Sequence, residues 1–173
     1  SSVEETVLAN ENFASKYDIP LHIGVTEAGP LITGVVKSTL AFSHLLKEGI
    51  GSTIRVSLSS SPENEVITGL EILRECGKRC GGVKLVSCPR CGRMGFDVHG
   101  FMERWQNRLL STKKDITVAV MGCVVNGPGE GKHADIGIAG AGGKAIIFKK
   151  GVIVKTVDEK EADKAFEEEL LAL

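Results

Sequence analysis

Two cysteine motifs in the second half of the chain have residue types and spacing suited to metal binding. Cys88 and Cys91 belong to residues 87–92, SCPRCG, and a two-residue gap lets two sulfurs face one ion or one face of a cluster. Cys123 follows a predicted strand and enters the turn at 126–130, NGPGE. Glycines let such a turn approach a bulky inorganic group closely. Metal binding is therefore the favoured interpretation of these three cysteines.

Other chemistries remain as alternatives for the same motifs. A thioredoxin-like redox pair opens a helix directly after a strand, whereas the helix predicted here begins only after Gly95. A zinc-stabilised structural or binding module without catalysis would use the three cysteines with His133 or His99. Taken alone, Cys123 also fits a buried, inert cysteine in a hairpin turn.

The residues by themselves leave the fourth metal ligand open. A carboxylate oxygen in the same turn as Cys123 would be a labile ligand that could open an iron to substrate. Cys76 and Cys80 have helical spacing near a predicted domain boundary, which favours a structural role. The candidates for the fourth ligand are Cys76, Cys80, His99, His133 and Glu130.

Polar residues after two predicted strands in the first half suggest a second part of the site. Glu27 follows the first strand, at the end where barrel enzymes place catalytic side chains. Arg55 and Ser57 alternate along the second strand and should therefore share a face. An inward arginine there suits a phosphate clamp, with a buried ion pair as the alternative.

Composition limits the class of protein. The 173 residues are 42% hydrophobic and 25% charged, with 21 basic against 22 acidic residues, so no net positive field favours nucleic acid. No apolar run is long enough to span a membrane. An odd set of five cysteines favours metal or catalytic chemistry in a reducing, cytoplasmic compartment.

Hydrophobic periodicity predicts alternating helices and strands in the first part. Short links between such elements imply parallel strands with right-handed crossovers. The residues predicted to face the core are Val36, Leu40 and Leu45 on the second helix and Val66, Leu70 and Leu73 on the third. Two strands cannot form a covered sheet, which predicts the tail of a larger barrel or doubly wound domain. The predicted elements are a helix at 3–17, strands at 20–25 and 53–58, and helices at 32–48 and from Ser61, with Pro62 in its first turn.

A domain boundary is predicted at 76–82, CGKRCGG, which divides the chain into 1–80 and 81–173. The glycine-rich stretch 137–143 is interpreted as a turn, because no helix follows it as a dinucleotide loop requires. The second part is predicted to have strands at 83–87, 116–122, 135–139, 144–149 and 151–156, and helices at 97–111 and 158–172. Phe101, Trp105 and Leu109 form an apolar stripe at four-residue steps on the first of these helices, and Lys150 and Gly151 are predicted to form a hairpin turn.

Long motifs in both parts resemble the bacterial 4-hydroxy-3-methylbut-2-enyl diphosphate synthase family. They are LHIGVTEAG, IRVSLSS, SCPRCGR, VMGCVVNGPGE and ADIGIAG, within a match over about residues 18–156. The resemblance implies that 1–80 is the C-terminal portion of a (β/α)8 barrel, namely its last two β/α units. It implies that 81–173 is an α/β iron-sulfur domain similar to a sulfite or nitrite reductase module.

The resemblance also implies the cofactor and the reaction. Cys88, Cys91 and Cys123 would be thiolate ligands of a 4Fe-4S cluster, with Glu130 as the fourth ligand. The reaction would be a reductive dehydration and ring opening of 2-C-methyl-D-erythritol 2,4-cyclodiphosphate. Flavodoxin or ferredoxin would supply two electrons.

On the substrate side, the resemblance implies roles for four residues and a partner subunit. The barrel that closes each site would come from the other copy in a head-to-tail homodimer. A complete barrel takes about 250 residues, so most of the residues that grip the diphosphates are expected outside this chain. Glu27 would be catalytic, Arg55 and Ser57 would contact diphosphate, and Asn126 would lie near the substrate.

Overall fold

The computed structural model describes residues 2–88, 92 and 95–173, with the backbone alone at Glu130. The chain forms two compact units, Ser1–Cys80 (the N-terminal unit) and Gly81–Leu173 (the C-terminal unit). Each unit has its own hydrophobic core. Within these described residues, no helix is both long and apolar enough to cross a bilayer.

The N-terminal unit pairs two short parallel strands and packs helices against them. Its strands align Ile23 with Ile54, which confirms the predicted parallel arrangement. Ser2 and Glu5 form a capping box at the start of the first helix, and Pro62 opens the third helix as predicted. The elements are α1 (Val3–Ala14), β1 (His22–Gly24), α2 (Leu31–Lys47), β2 (Thr53–Arg55) and α3 (Pro62–Glu75).

The prediction of the buried helix faces in this unit was confirmed at Leu45, which is fully buried, and wrong at three other positions. Val36, Leu40 and Val66 are 53%, 56% and 61% exposed. On α2 the buried face instead includes Gly34, where a Cβ would lie 2.3 Å from Leu58 Cδ2. Small residues occupy the close contact in the first half of the helix, and large side chains are buried only nearer its C-terminal end, at Phe42, Leu45 and Leu46.

The C-terminal unit is a five-stranded mixed sheet in the order β3-β4-β5-β6-β7. The first three strands are parallel, and the last two continue the sheet in antiparallel hairpins. The elements are β3 (Val83–Ser87), α4 (Val98–Leu110), β4 (Ile116–Met121), β5 (Ile136–Ala141), β6 (Lys144–Lys149), β7 (Val152–Asp158) and α5 (Ala162–Leu171), with short helical turns at Val125–Gly129, Glu130–His133 and Glu159–Glu161.

The two faces of this sheet are covered by different kinds of structure. On one face, α4 and α5 pack Phe101, Trp105 and Phe166 over the strands in a fully apolar cluster. The predicted stripe on α4 is therefore confirmed. On the other face, a smaller cluster around Phe148 is covered by the helical turns between β4 and β5.

The interpretation of 137–143 as a turn was wrong for most of that stretch. Residues 137–141 belong to β5, and only Gly142 and Gly143 form the turn, at φ values of 59° and 82°. Glycines continue the strand here because two positions have no room for a side chain. Gly137 lies against the Phe148 ring, and Gly140 lies against the backbone at Gly95. The predicted hairpin at Lys150 and Gly151 is confirmed, and both residues have positive φ.

Ion pairs and aromatic contacts fix α5 against its neighbours. Arg104 of α4 lies 2.9 Å from Asp163, which also accepts a hydrogen bond from the Trp105 indole. Lys155 of β7 lies 2.6 Å from Glu168, and this hydrogen bond lowers the pKa of Glu168 and raises the pKa of Lys155. These charged contacts and the buried Phe166 ring hold the same helix against α4 and β7.

We expect Phe166→Ala to lower the free energy of unfolding by about 3–5 kcal/mol, because a fully buried ring is replaced by a cavity. The ring also makes edge contacts with Phe101 and Trp105. Chemical denaturation measures the change. Leu171→Ala is the matched control on the same helix, since Leu171 is 70% exposed. Equal effects of the two substitutions would contradict this account of the core.

Candidate metal centre

Parallel pairing of β3 and β4 brings two of the predicted ligands to one edge of the sheet. Ser87 is paired with Val120, and the N–H of Cys88 donates to the Val120 carbonyl across 3.2 Å. Cys123 follows the end of β4 by two residues. Both cysteines therefore leave neighbouring strands at their carboxyl ends.

The sulfur of Cys88 accepts a backbone hydrogen bond. The N–H of Gly122 lies 3.0 Å from Cys88 Sγ, and the half-buried side chain packs against both hydrophobic clusters of the unit. Hydrogen bonds of this kind typically orient the ligands of a metal site.

Cys123 is buried at the start of a tight helical turn. It is 8% exposed, and its carbonyl accepts the N–H of Gly127 at 2.9 Å. Its thiol lies 3.8 Å from Asn126 Oδ1. Asn126, which the resemblance placed near substrate, thus also lies beside the cysteine sulfur.

The Cys123 turn lies directly on the Phe148 side of the sheet because its contact residues are glycines. A Cβ at Gly127 would lie 2.7 Å from the Cβ of Ala139, and one at Gly131 would lie 2.8 Å from the Phe148 ring. Any larger residue at these positions would push the turn off the sheet. The glycines predicted to serve close approach to a metal also serve close packing.

Two of the four predicted metal ligands, Cys88 and Cys123, have side chains that the structure describes. Cys91 and the side chain of Glu130 lie outside the described residues. Among the side chains that are described, no three from His, Cys, Asp and Glu are grouped closely enough to hold one metal ion. His99 and His133 are both exposed and do not complete a group with Cys88 and Cys123, so the histidine-containing zinc set is not assembled in this part of the chain.

The remaining cysteines belong to the N-terminal unit, whereas this sheet edge belongs to the C-terminal unit. Cys76 caps the end of α3 and packs partly against the core of that unit. Cys80 is an exposed free thiol at the end of the unit. Their positions agree with the structural role predicted for them.

Glu27 has the backbone conformation of a constrained residue. Its φ is 56°, which falls in the left-handed region that non-glycine residues rarely occupy. The loops after β1 and β2 are held together there, since the Ser59 N–H donates to the Gly29 carbonyl at 3.0 Å. A strained residue at the carboxyl end of a parallel strand suggests a functional constraint.

Arg55 lies on the sheet face opposite the helices of the N-terminal unit. It is paired with Gly24, where a Cβ would lie 3.4 Å from Arg55 Nε. Arg55 is exposed, Val56 is buried and Ser57 is half-buried. The strand ends at Arg55, earlier than predicted, so Ser57 follows the strand and does not belong to it.

Two contacts in these sites were not found by sequence reasoning. His22 Nδ1 lies 2.7 Å from Thr53 Oγ1, and this pair neighbours Gly24 and Arg55 in the strand register. The alternation of His22 and Gly24 with buried Ile23 was the available signal. The Gly122 amide at Cys88 Sγ had no sequence signal, because it depends on strand register.

These features define a two-unit α/β protein with part of a parallel β/α structure and a mixed-sheet domain carrying two cysteines at one edge. Family models match both units: the GcpE TIM-barrel domain matches residues 1–70, and the GcpE protein C-terminal domain matches residues 84–172. The chain belongs to the GcpE family.

Curated relatives agree with this assignment. The chain is 66% identical to a protein of Treponema denticola, 64% to one of Treponema pallidum and 53% to one of Thermodesulfovibrio yellowstonii, with 100%, 100% and 98% of the chain covered. Each is named 4-hydroxy-3-methylbut-2-en-1-yl diphosphate synthase (flavodoxin). The matches cover 47%, 45% and 49% of those proteins, so the chain spans about half of their length.

We predict that Glu27→Gly has a free energy of unfolding about 1 kcal/mol higher than Glu27→Ala, because only glycine adopts this φ without steric cost. Both substitutions remove the carboxylate, so the comparison isolates the backbone. Denaturant melts of the two variants measure the difference. An alanine variant as stable as the glycine variant would show that the backbone at residue 27 is unstrained.

Proposed function

We propose that this chain carries the iron-sulfur centre and part of the substrate site of a reductive, ring-opening diphosphate synthase. The observation that carries the proposal is the placement of Cys88 and Cys123 at adjacent parallel strand ends, with an amide donor at one sulfur. Membership of the GcpE family supports the reaction class.

The proposed ligands are three cysteines and one carboxylate. Cys88, Cys91 and Cys123 would bind three irons of a 4Fe-4S cluster, and Glu130 would bind the fourth through a weaker oxygen donor. When bound, such a cluster supplies electrons one at a time and a Lewis-acidic iron. Burial of Cys123 would limit the access of water and oxidants to that side.

The proposed substrate is a small cyclic diphosphate, 2-C-methyl-D-erythritol 2,4-cyclodiphosphate. Arg55 would pair with phosphate oxygens through its guanidinium, and Ser57 would donate a hydrogen bond. Asn126 would orient the reacting end of the substrate near Cys123. Glu27 would hold a proton for the departing oxygen, which leaves as water.

The overall change requires two electrons and two protons for each molecule of water released. Flavodoxin, which the names of the relatives mention, or a ferredoxin would provide the electrons. The organic product would be 4-hydroxy-3-methylbut-2-enyl diphosphate, so the reaction would belong to isoprenoid biosynthesis.

The same proposal extends to domain roles and assembly. Residues 1–80 would be the C-terminal portion of a (β/α)8 barrel, and 81–173 a cluster-binding domain similar to a sulfite or nitrite reductase module. Two copies of the complete protein would form a homodimer in which each barrel serves the partner's cluster. A cytoplasmic location fits, since free thiols persist in a reducing compartment.

We predict that serine substitution of any proposed cysteine ligand abolishes iron binding, because a hydroxyl is a poor substitute for a thiolate. Anaerobic reconstitution followed by iron and sulfide analysis and an absorption spectrum measures the cluster. The ligand substitutions are Cys88→Ser, Cys91→Ser and Cys123→Ser, and the matched controls in the N-terminal unit are Cys76→Ser and Cys80→Ser.

The absorption spectrum separates this proposal from the zinc alternative. A 4Fe-4S protein is brown, whereas a zinc-thiolate protein is colourless. Near-full iron and sulfide in Cys123→Ser would refute the ligand assignment. A colourless wild-type chain with one zinc would refute the proposed function itself.

We also predict that the 173-residue chain is catalytically silent even with its cluster intact. Two parallel strands are described in the N-terminal unit, whereas a barrel has eight, so few of the contacts that clamp a diphosphate are available. The assay supplies reduced flavodoxin and the cyclodiphosphate, first alone and then with the remaining barrel portion of a relative in trans. Turnover by the chain alone at the rate of a complete relative would show that the substrate site is misplaced.

A further inference from the structure

We infer that Gly122 and Gly140 form a glycine seat that holds Cys88 and Gly95, the two ends of the segment 88–95, and so positions Cys88 for the cluster. The inference rests on the proposed function, because it assigns these two glycines a positioning role in that metal site. It concerns two residues that make no proposed contact with metal or substrate.

Gly122 makes one hydrogen bond to each end of the segment. Its N–H donates to Cys88 Sγ at 3.0 Å, and its carbonyl accepts the N–H of Gly95 at 2.7 Å. One buried residue of the β4 end therefore connects the first and last positions of the segment.

Gly140 of β5 provides the surface on which the far end rests. A Cβ at Gly140 would lie 2.3 Å from the carbonyl carbon of Gly95, 2.4 Å from its oxygen and 2.6 Å from the Phe96 nitrogen. All three atoms belong to the backbone, which cannot move aside as a flexible side chain can. Any residue with a Cβ at 140 must displace the chain at 95–96.

The contact is asymmetric, which makes it testable. Among the residues that the structure describes, a Cβ at Gly95 would have no neighbour closer than 3.9 Å, the distance to the Gly122 carbonyl oxygen. Alanine therefore fits at 95 but not at 140, although the two residues touch. Gly95 donates its N–H to the Gly122 carbonyl. Gly140 leaves room for the chain at 95–96 because it has no side chain.

The consequence for a bound cluster would be both geometric and electronic. Groups that orient metal ligands typically change metal affinity by about 10- to 100-fold when they are altered. Hydrogen bonds to cluster sulfurs also tune the reduction potential. Displacing residue 95 would strain the Gly122 carbonyl contact and weaken the Gly122 donor at Cys88, which removes stabilisation of the reduced state.

The experiment compares Gly140→Ala with Gly95→Ala in the reconstituted chain. We expect a chelator to strip iron from Gly140→Ala about 10-fold faster than from wild type or more. We also expect an altered electron paramagnetic resonance spectrum and a lower midpoint potential. Gly95→Ala should match wild type in all three measurements. Wild-type behaviour of Gly140→Ala would overturn the inference.

A second pair of variants covers the case in which Gly140→Ala does not fold. Gly95→Pro removes the N–H that donates to Gly122, whereas Gly95→Ala keeps it at the same exposed position. Faster iron loss in the proline variant alone supports the inference. Equal iron loss in the two variants contradicts it. Circular dichroism and thermal unfolding of the metal-free proteins identify any general loss of structure.

Amide hydrogen exchange in metal-free protein separates this inference from the proposed function. The Gly95 amide should be protected in wild type and exchange faster in Gly140→Ala. If wild type binds zinc and no cluster, the proposed function fails, while the seat is judged by this exchange and by zinc loss in the variant. An unprotected Gly95 amide in wild type would overturn the seat whatever metal is bound.

Discussion

The parallel pairing of β3 with β4 is the constraint on which the C-terminal unit depends. Neighbouring strands lie about 4.8 Å apart, so residues that follow their carboxyl ends are brought together by the sheet itself. A parallel pair also requires a crossover, and that crossover is α4, whose Phe101 and Trp105 build the main core. The topology that places Cys88 beside the end of β4 thus also generates the apolar cluster that stabilises it.

The two faces of this sheet are stabilised by different interactions. On the helical face, aromatic rings and ion pairs around α5 supply the contacts. On the opposite face, the Cys123 turn is held by backbone hydrogen bonds and by glycines that permit close approach. Side-chain packing therefore gives stability on one face. Backbone packing fixes the position of the Cys123 turn on the other face, where the proposed metal centre needs ligands in fixed places.

Hydrophobic periodicity in the sequence was sufficient to predict those elements whose local pattern matches their burial. The α4 stripe, the strands β3 and β4 and the start of α3 at Pro62 were all predicted, because local propensity and burial agree there. The buried face of α2 was predicted only in part, since Leu45 is buried but Gly34, Ser38 and Ala41 occupy contacts that hydrophobicity scales assign to large residues. The left-handed Glu27 and the Gly140 contact depend on residues distant in sequence, which no local pattern encodes. The family motifs indicated the candidate ligands. The amide donor at Cys88 Sγ could be found only once the strand register was known.

The Phe148 ring lies beside three glycines. A Cβ at Gly127 would lie within van der Waals contact of the ring, and a Cβ at Gly131 or Gly137 would lie closer still. A single ring therefore fills the space that three separate side chains would otherwise occupy. Substitutions at 131 or 137 and at 148 should accordingly show strong epistasis, each harmful alone and more tolerable when the ring is reduced at the same time. The evolutionary path of this segment is then narrow: lineages can exchange the ring for smaller residues and gain side chains on the turn, but only through paired changes.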